Sequence, residues 1–474
     1  MLFISPVFLI YFLPVFIWIY HITKDSYKNH LLLGASLIFY AWGAPKFVFI
    51  LLLTTAIDFY LVKLMSQKTT PHSRKLFLML SLTLNLGLLV YFKYMNFFVN
   101  NFKEAFHSFG LQTGPMLNII LPIGISFFVF ESITYAVDVY RREQEPLKKF
   151  SYYLLYIFFF PKMIAGPIVR YGEIASQIEG RFKESSNQLY VQGFGRFVTG
   201  LAKKVMIADV LGVYTDAYIR SITMGIDVYS SWLCALAFSM QIYFDFSAYS
   251  DMAIGLANML GFRLNENFNN PFTSSRLKEF WQRWHMSFTR WIKSYLYIPL
   301  GGSKISIKRT YLNLWIIFII SGLWHGAAWN YLIWGCVHGV FLILERLFLG
   351  DLFNKMGKWV STAIIFIFII LSTLLLKTND LSASMHWYGS MFGFNAGNIQ
   401  LKMLTETKLM LVLGIFFSLF TILPYGQKIQ NWWYGYDHHE KFPLIKVLFY
   451  VFLWIISISY VSGHQFKSFI YYMF

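Results

Sequence analysis

Charged side chains make up only 13% of this chain, roughly half the share found in a soluble domain and too few to coat a water-facing surface. Lipid is therefore the expected solvent. Cysteine is nearly absent: Cys234 and Cys336 both lie in apolar runs, without the number or spacing of a disulfide framework or a zinc site, and read as packing residues. The sequence also lacks a G-x-S-x-G elbow, a P-loop and an H-x-x-x-x-D box, which leaves soluble hydrolase and nucleotide chemistry without support. Low-complexity tracts and a separate soluble domain are missing too, so residues 1–474 read as a single polytopic membrane domain. Acidic charge is scarce, with 23 Asp and Glu against 40 Lys and Arg and a net charge of +17. The basic residues sit in short clusters between apolar runs, as the positive-inside rule and anionic headgroups would produce, so membrane lipid and not nucleic acid is the expected partner.

What is plentiful is apolar: 57% of residues are hydrophobic and 20% aromatic, which suits lipid-facing helices flanked by interfacial Tyr and Trp. A crossing helix needs about 20 apolar residues. Runs at 2–20, 31–43, 47–63, 76–92 and 117–139 meet or approach that length and predict an N-terminal helical bundle over 1–140. The first run lacks a basic leader and a small-residue cleavage site, so it is expected to be a retained span. Lys24 and Lys28 mark the first loop, Lys46 alone the second, and Lys63, Lys68, Arg74 and Lys75 the third. Positive-inside logic puts the first and third loops, and the Arg141, Arg142, Lys148 and Lys149 cluster, in the cytoplasm and the N-terminus outside. Between 152 and 212 apolar stretches are broken by Pro161, Gly166 and Pro167, then by Arg181, Lys183, Arg196, Lys203 and Lys204. Re-entrant and interfacial helices walling a cavity are expected there, within a core spanning 141–350. Further runs at 231–262, 311–324, 327–345, 359–376, 408–423 and 444–462 lead into C-terminal helices over 351–474. The total is about 11 or 12 crossing elements.

An ionisable group inside such a run costs about 2.5–3.5 kcal/mol to insert and is a functional candidate by default. His325 is the strongest, in Ser321-Gly322-Leu323-Trp324-His325-Gly326-Ala327-Ala328-Trp329. Flanking glycines allow close approach of a backbone or substrate, and an imidazole can take a proton from a hydroxyl near neutral pH. The alternative is a histidine that only bonds a neighbouring carbonyl. His285 is second, in Phe280-Trp281-Gln282-Arg283-Trp284-His285-Met286-Ser287-Phe288-Thr289-Arg290-Trp291, where helical spacing puts Arg283 and Arg290 on one face of an interfacial or re-entrant helix. Residues 263–309 hold nine Lys or Arg against two Glu, a local +7 that would attract the phosphates of an acyl carrier or, as such clusters more often do, anionic headgroups. Asp245 and Asp251 lie roughly 600° apart on a helix, so each is expected to pair with a partner from another helix, not to form a carboxylate dyad. His338 is 13 positions past His325, roughly 220° round a continuous helix, which does not make a metal pair. His438 and His439 sit in a polar loop with no ligand pattern.

The run Phe280 to Trp291, the Leu323-Trp324-His325-Gly326 box, Tyr243 to Asp251 and Asn270-Pro271-Phe272 together resemble the membrane-bound O-acyltransferase (MBOAT) family, in its bacterial alginate O-acetyltransferase branch. Leu121 to Phe127, Pro161 to Tyr171 and the closing Phe469-Ile470-Tyr471-Tyr472 resemble the same branch, so the likeness runs nearly end to end. The resemblance implies an all-α ring of tilted and re-entrant helices around a central tunnel in a bacterial cytoplasmic membrane. It implies catalysis by His325 with His285 as the second histidine, and a tunnel lined by Trp324, Trp281, Trp284, Ser287, Tyr243, Asp245, Tyr249 and Asn270. A cytoplasmic donor, acetyl-coenzyme A, would enter on a basic face carrying Arg283, Arg290 and Lys293. No metal and no tightly bound cofactor is implied. An extracytoplasmic partner protein would pass the acetyl group to a polysaccharide, alginate-like first, with peptidoglycan, cellulose or D-alanylation of teichoic acid as alternatives. A proton-coupled transporter is the competing class, since broken helices with buried His and Asp suit both, although internal repeats are missing. A noncatalytic scaffold for polysaccharide export has no use for a costly buried imidazole.

Overall fold

Proline opens several of the helices: Pro45, Pro71 and Pro424 each stand in the first turn, where the missing N–H is not needed and the fixed φ suits the helix. In the computed structural model, residues 1–110, 118–181, 187–378, 380–435, 444–463 and 468–470 are described; Lys183, His438, His439, Tyr471 and Tyr472 lie outside them. The described residues are helical throughout their regular structure, with a single isolated bridge between Ile226 and Ile399, so the protein is all-α. Among the described residues, six helices are long and apolar enough to cross a membrane: Pro45–Gln67, Pro71–Ser108, Trp329–Met356, Lys358–Leu376, Thr405–Ile422 and Leu444–Gly463. The other expected crossings form helices that are shorter, interrupted or more polar. The 231–262 run is the 32-residue helix Val228–Met259, which is buried along most of its length and therefore tolerates Gln241, Asp245 and Asp251.

The chain forms two compact units, residues 1–186 with 260–264, and residues 187–259 with 265–474. These boundaries differ from the 140 and 350 read from hydropathy, because they follow packing and not the run of apolar residues.

In the first unit the helix Ile125–Tyr140 is buried on nearly every side. Two buried carboxylates of this unit are matched. Asp58 accepts hydrogen bonds from Ser81 Oγ (2.5 Å), Asn85 Nδ2 (2.9 Å) and Tyr153 OH (2.5 Å), and Glu131 pairs with Lys162, both buried. Such closure is what burial of a carboxylate requires. Non-helical backbone from Phe159 to Val169 is buried in protein, the condition under which irregular chain is tolerated at membrane depth.

In the second unit small residues set the helix spacing. A Cβ on Gly193 would lie 2.6 Å from Gly255 O and one on Gly200 2.6 Å from Ala248 O, so Asn187–Ala202 and Val228–Met259 touch backbone to backbone. Ile307–His325 and Trp329–Leu344 pack antiparallel in the same way: a Cβ on Gly322 would meet Tyr331 O at 2.2 Å, and one on Gly335 would meet Phe318 O at 2.3 Å. Gly322→Ala is therefore expected to destabilise the protein by about 1–3 kcal/mol through overpacking. A lowered thermal midpoint of the purified protein checks it; an unchanged one contradicts the close contact.

Candidate active site

His325 is the last residue of Ile307–His325, and the chain turns back through an extended Gly326 before Trp329 starts the next helix. A side chain at Gly326 would collide with the Tyr331 ring at 2.1 Å, which explains the glycine after the histidine. The imidazole is buried, 3% exposed, with Trp334 edge-on at 5.1 Å, Trp324 at 4.9 Å and Phe288 at 5.9 Å between ring centroids.

His285 sits at a break the sequence did not show. The expected single helix over 280–291 is two short ones, Leu277–Arg283 and Met286–Ile292, with Trp284 extended and His285 left-handed at φ 45°. A non-glycine residue in that region is strained and persists only where its surroundings over-determine it. Here the segment 265–270 does so: Asn269 N donates to Arg283 O (2.9 Å) and Met286 N to Asn267 O (2.9 Å), so the backbone groups freed by the break are satisfied. The His285 ring is fully buried, edge-on to Phe246 at 4.6 Å, stacked on Phe288 at 5.1 Å and 5.9 Å from Trp324. Phe288 and Trp324, stacked at 4.5 Å, thus hold both imidazoles in one aromatic cage.

The same fold change redirects the arginines. Arg283 bonds Glu279 (2.7 Å) and Thr273 Oγ1 (2.8 Å), and Arg290 reaches Glu266 O (3.5 Å), so they do not share a face. Lys293, in contrast, lines a cavity of about 800 Å³ with Arg276, Lys278 and Arg346. Trp281, Phe288 and Ser321 form its inner wall, so a basic mouth leads to the edge of the cage. Glu345 holds this mouth, its carboxylate accepting from Leu277 N (2.6 Å) and Lys278 N (3.3 Å). A second space of about 20 Å³ lies against His325, walled by Phe272, Trp281, Trp284, Trp334 and His338.

His338 joins the site although its spacing set it apart. It lies 4.7 Å from Trp334, and Trp334 lies 5.1 Å from His325. Neither of its ring nitrogens has a hydrogen-bond partner among the described residues. The remaining candidates distribute differently. Trp281, Trp284 and Trp324 are in the cage or its walls, and Ser287 is buried beside His285. Tyr243 packs on Trp284 at 6.0 Å and, with Asn270, lines a separate cavity of about 400 Å³. Asp245 turns elsewhere, to Lys204 (2.6 Å) and Ile470 N (2.8 Å), and Tyr249 packs on Phe469 at 4.8 Å. Asp251 accepts from Arg196 (2.8 Å) and Lys203 (2.6 Å), so both aspartates pair across helices.

Two buried imidazoles, an apolar slot and a basic cavity are the parts an acyl transfer needs. The family model of the membrane-bound O-acyltransferases (MBOAT) matches residues 125–376, a span that holds both histidines and most of the cavity wall. The chain belongs to this family and is an O-acyltransferase of the membrane, crossing it several times. Among its relatives, the probable alginate O-acetylase AlgI of Pseudomonas putida is 39% identical over 86% of this chain and 83% of its own length. The peptidoglycan O-acetyltransferase of Helicobacter pylori is 35% identical over 83% of this chain and 80% of its own. A teichoic acid D-alanyltransferase from Bacillus subtilis is 31% identical over 52% of this chain and 64% of its own.

Proposed function

We propose that the protein moves an acetyl group from a cytoplasmic thioester, acetyl-coenzyme A, toward O-acetylation of a polysaccharide outside the bacterial cytoplasmic membrane, its N-terminus facing out. The observation that carries this reading is the basic-mouthed cavity of about 800 Å³ whose lining reaches Phe288, the aromatic ring that packs against both His325 and His285. Arg276, Lys278, Lys293 and Arg346 supply the positive field for the donor's phosphates, and the cavity accommodates the arm that carries the thioester. An acceptor hydroxyl attacks the thioester carbonyl carbon while His325 takes the hydroxyl proton. The C–S bond breaks, and the same proton passes to the departing thiolate. His285 orients the acceptor by accepting a hydrogen bond from its hydroxyl. The acceptor lies on an extracytoplasmic partner that hands the group to polymer.

Relatives named for alginate favour an alginate-like polymer, with peptidoglycan or cellulose next and D-alanyl transfer more distant. Labelled acetyl should leave coenzyme A with the intact protein, and the polymer of the native cell should lose its esters on deletion; acetyl-free solute uptake with no acetyl transfer contradicts the proposal.

The small slot against His325 sets the acyl length. A space of about 20 Å³ takes the methyl of an acetyl group and little more. Trp334→Ala is expected to raise the butyryl-to-acetyl turnover ratio by about 10-fold or more, since one or two methylenes in an apolar pocket are worth that much. A panel of acyl-coenzyme A substrates reads the ratio, and an unchanged ratio removes the slot from the acyl path.

A further inference from the structure

Asn267 is fully buried beside His285, on the non-helical segment that bridges the helix break. Its side-chain amide makes four contacts. Oδ1 receives the Ser287 main-chain N–H (3.2 Å) and the Ser287 hydroxyl (2.8 Å) and faces His285 Nδ1 (3.2 Å), while Nδ2 donates to Ser250 Oγ (3.0 Å). The two ends of an amide look alike, so the orientation must come from its neighbours. A main-chain N–H can only donate. The atom it meets is therefore the oxygen, and Ser250 on the helix Val228–Met259 takes the NH₂ end.

The consequence falls on the histidine. An imidazole nitrogen facing a carbonyl oxygen must carry a proton, because two lone pairs would repel. In the neutral ring the other nitrogen then bears the lone pair. Met286 N donating to Asn267 O (2.9 Å) locks the same residue to the strained backbone, so ring position and proton position have one source.

We propose that Asn267 is the positioning residue of the site: it fixes His285 with its proton on Nδ1 and leaves Nε2 as the hydrogen-bond acceptor that meets the acceptor hydroxyl. The proposal rests on the acetyl-transfer reading above and deepens it, since it gives His285 a proton-accepting face held in place before substrate arrives. Asn267 acts only through His285.

The test uses the purified full chain in lipid nanodiscs, acetyl-coenzyme A as probe and released thiol as readout. Asn267→Ala should lower kcat by about 10–100-fold, the usual cost of losing an orienting partner, with KM within about 2-fold. Asn267→Asp, the same shape and still an acceptor for His285 and Ser287, should restore most of the rate. In a His285→Ala background the Asn267→Ala change should cost no further activity, because non-additivity marks residues acting as one unit. Should Asn267→Ala fail to fold, Ser250→Ala removes one hydroxyl from the far end of the amide and should lower kcat with His285 present and not without it. Equal losses with and without His285, a change confined to KM, or an Asp variant as impaired as the Ala variant would overturn the proposal. A wild-type chain that releases no thiol overturns this assignment together with the reading beneath it.

Discussion

His325→Ala should abolish acetyl transfer, lowering kcat by about 10²–10⁴-fold, the range that removal of a general base produces. The fold should survive. The ring contacts aromatic side chains, and its loss opens a space beside an existing one against Trp334 and Trp324. A thermal midpoint near that of the wild type, measured on the same preparation, separates lost chemistry from lost structure. His325→Ala with wild-type turnover would mean that the buried imidazole at the end of Ile307–His325 serves packing alone.

Asp251→Ala should produce the largest loss of stability. Its carboxylate receives Arg196 Nε (3.0 Å), Arg196 Nη2 (2.8 Å), Lys203 Nζ (2.6 Å) and Tyr434 OH (3.2 Å), joining three helices of the second unit. Removing it leaves two cations with Glu266, which bonds Arg196 at 2.5 Å, as the remaining counter-charge of that cluster. Taking one partner from a buried pair costs about 3–5 kcal/mol, mostly the penalty of the stranded charge. The expected result is a large fall in the thermal midpoint and in yield, with Asp251→Asn intermediate because it keeps an acceptor. Activity should fall as well, since the neighbouring Ser250 holds the Asn267 amide. A variant as stable as the wild type would show the network to be dispensable.

How much of this was legible in the sequence depends on the range of the interaction. Hydropathy found the six long apolar helices among the described residues because about 20 apolar residues have one use, and the glycines around Trp324-His325 marked the turn at which the two helices touch. His325 and His285 stood out as polar residues in apolar surroundings. The pairing of Asp245 and Asp251 with cations from other helices followed from the cost of burying them alone.

The break at Trp284-His285 was hidden because residues 277–292 keep helical periodicity on both sides, and what forces the break is a distant strand of chain at 265–270. Arg283 and Arg290 were placed on one face by a period that the break interrupts. Arg276, Lys278 and Arg346 form the cavity mouth through Glu345, a contact across some 70 positions that no local pattern carries. His338 was set aside on an angle that assumes one continuous helix; because the chain reverses at Gly326, the two histidines sit on neighbouring antiparallel helices. Asn267 offered no signal beyond a run of asparagines before Pro271.

The most direct measurement is an experimental structure of the protein with a non-hydrolysable thioether analogue of acetyl-coenzyme A. The account predicts the nucleotide phosphates at Arg276, Lys278, Lys293 and Arg346, the arm through the cavity of about 800 Å³, and the acyl end against Trp281, Phe288 and the His325 ring. An analogue bound away from this cavity, with the imidazole of His325 closed off from it, would contradict the account.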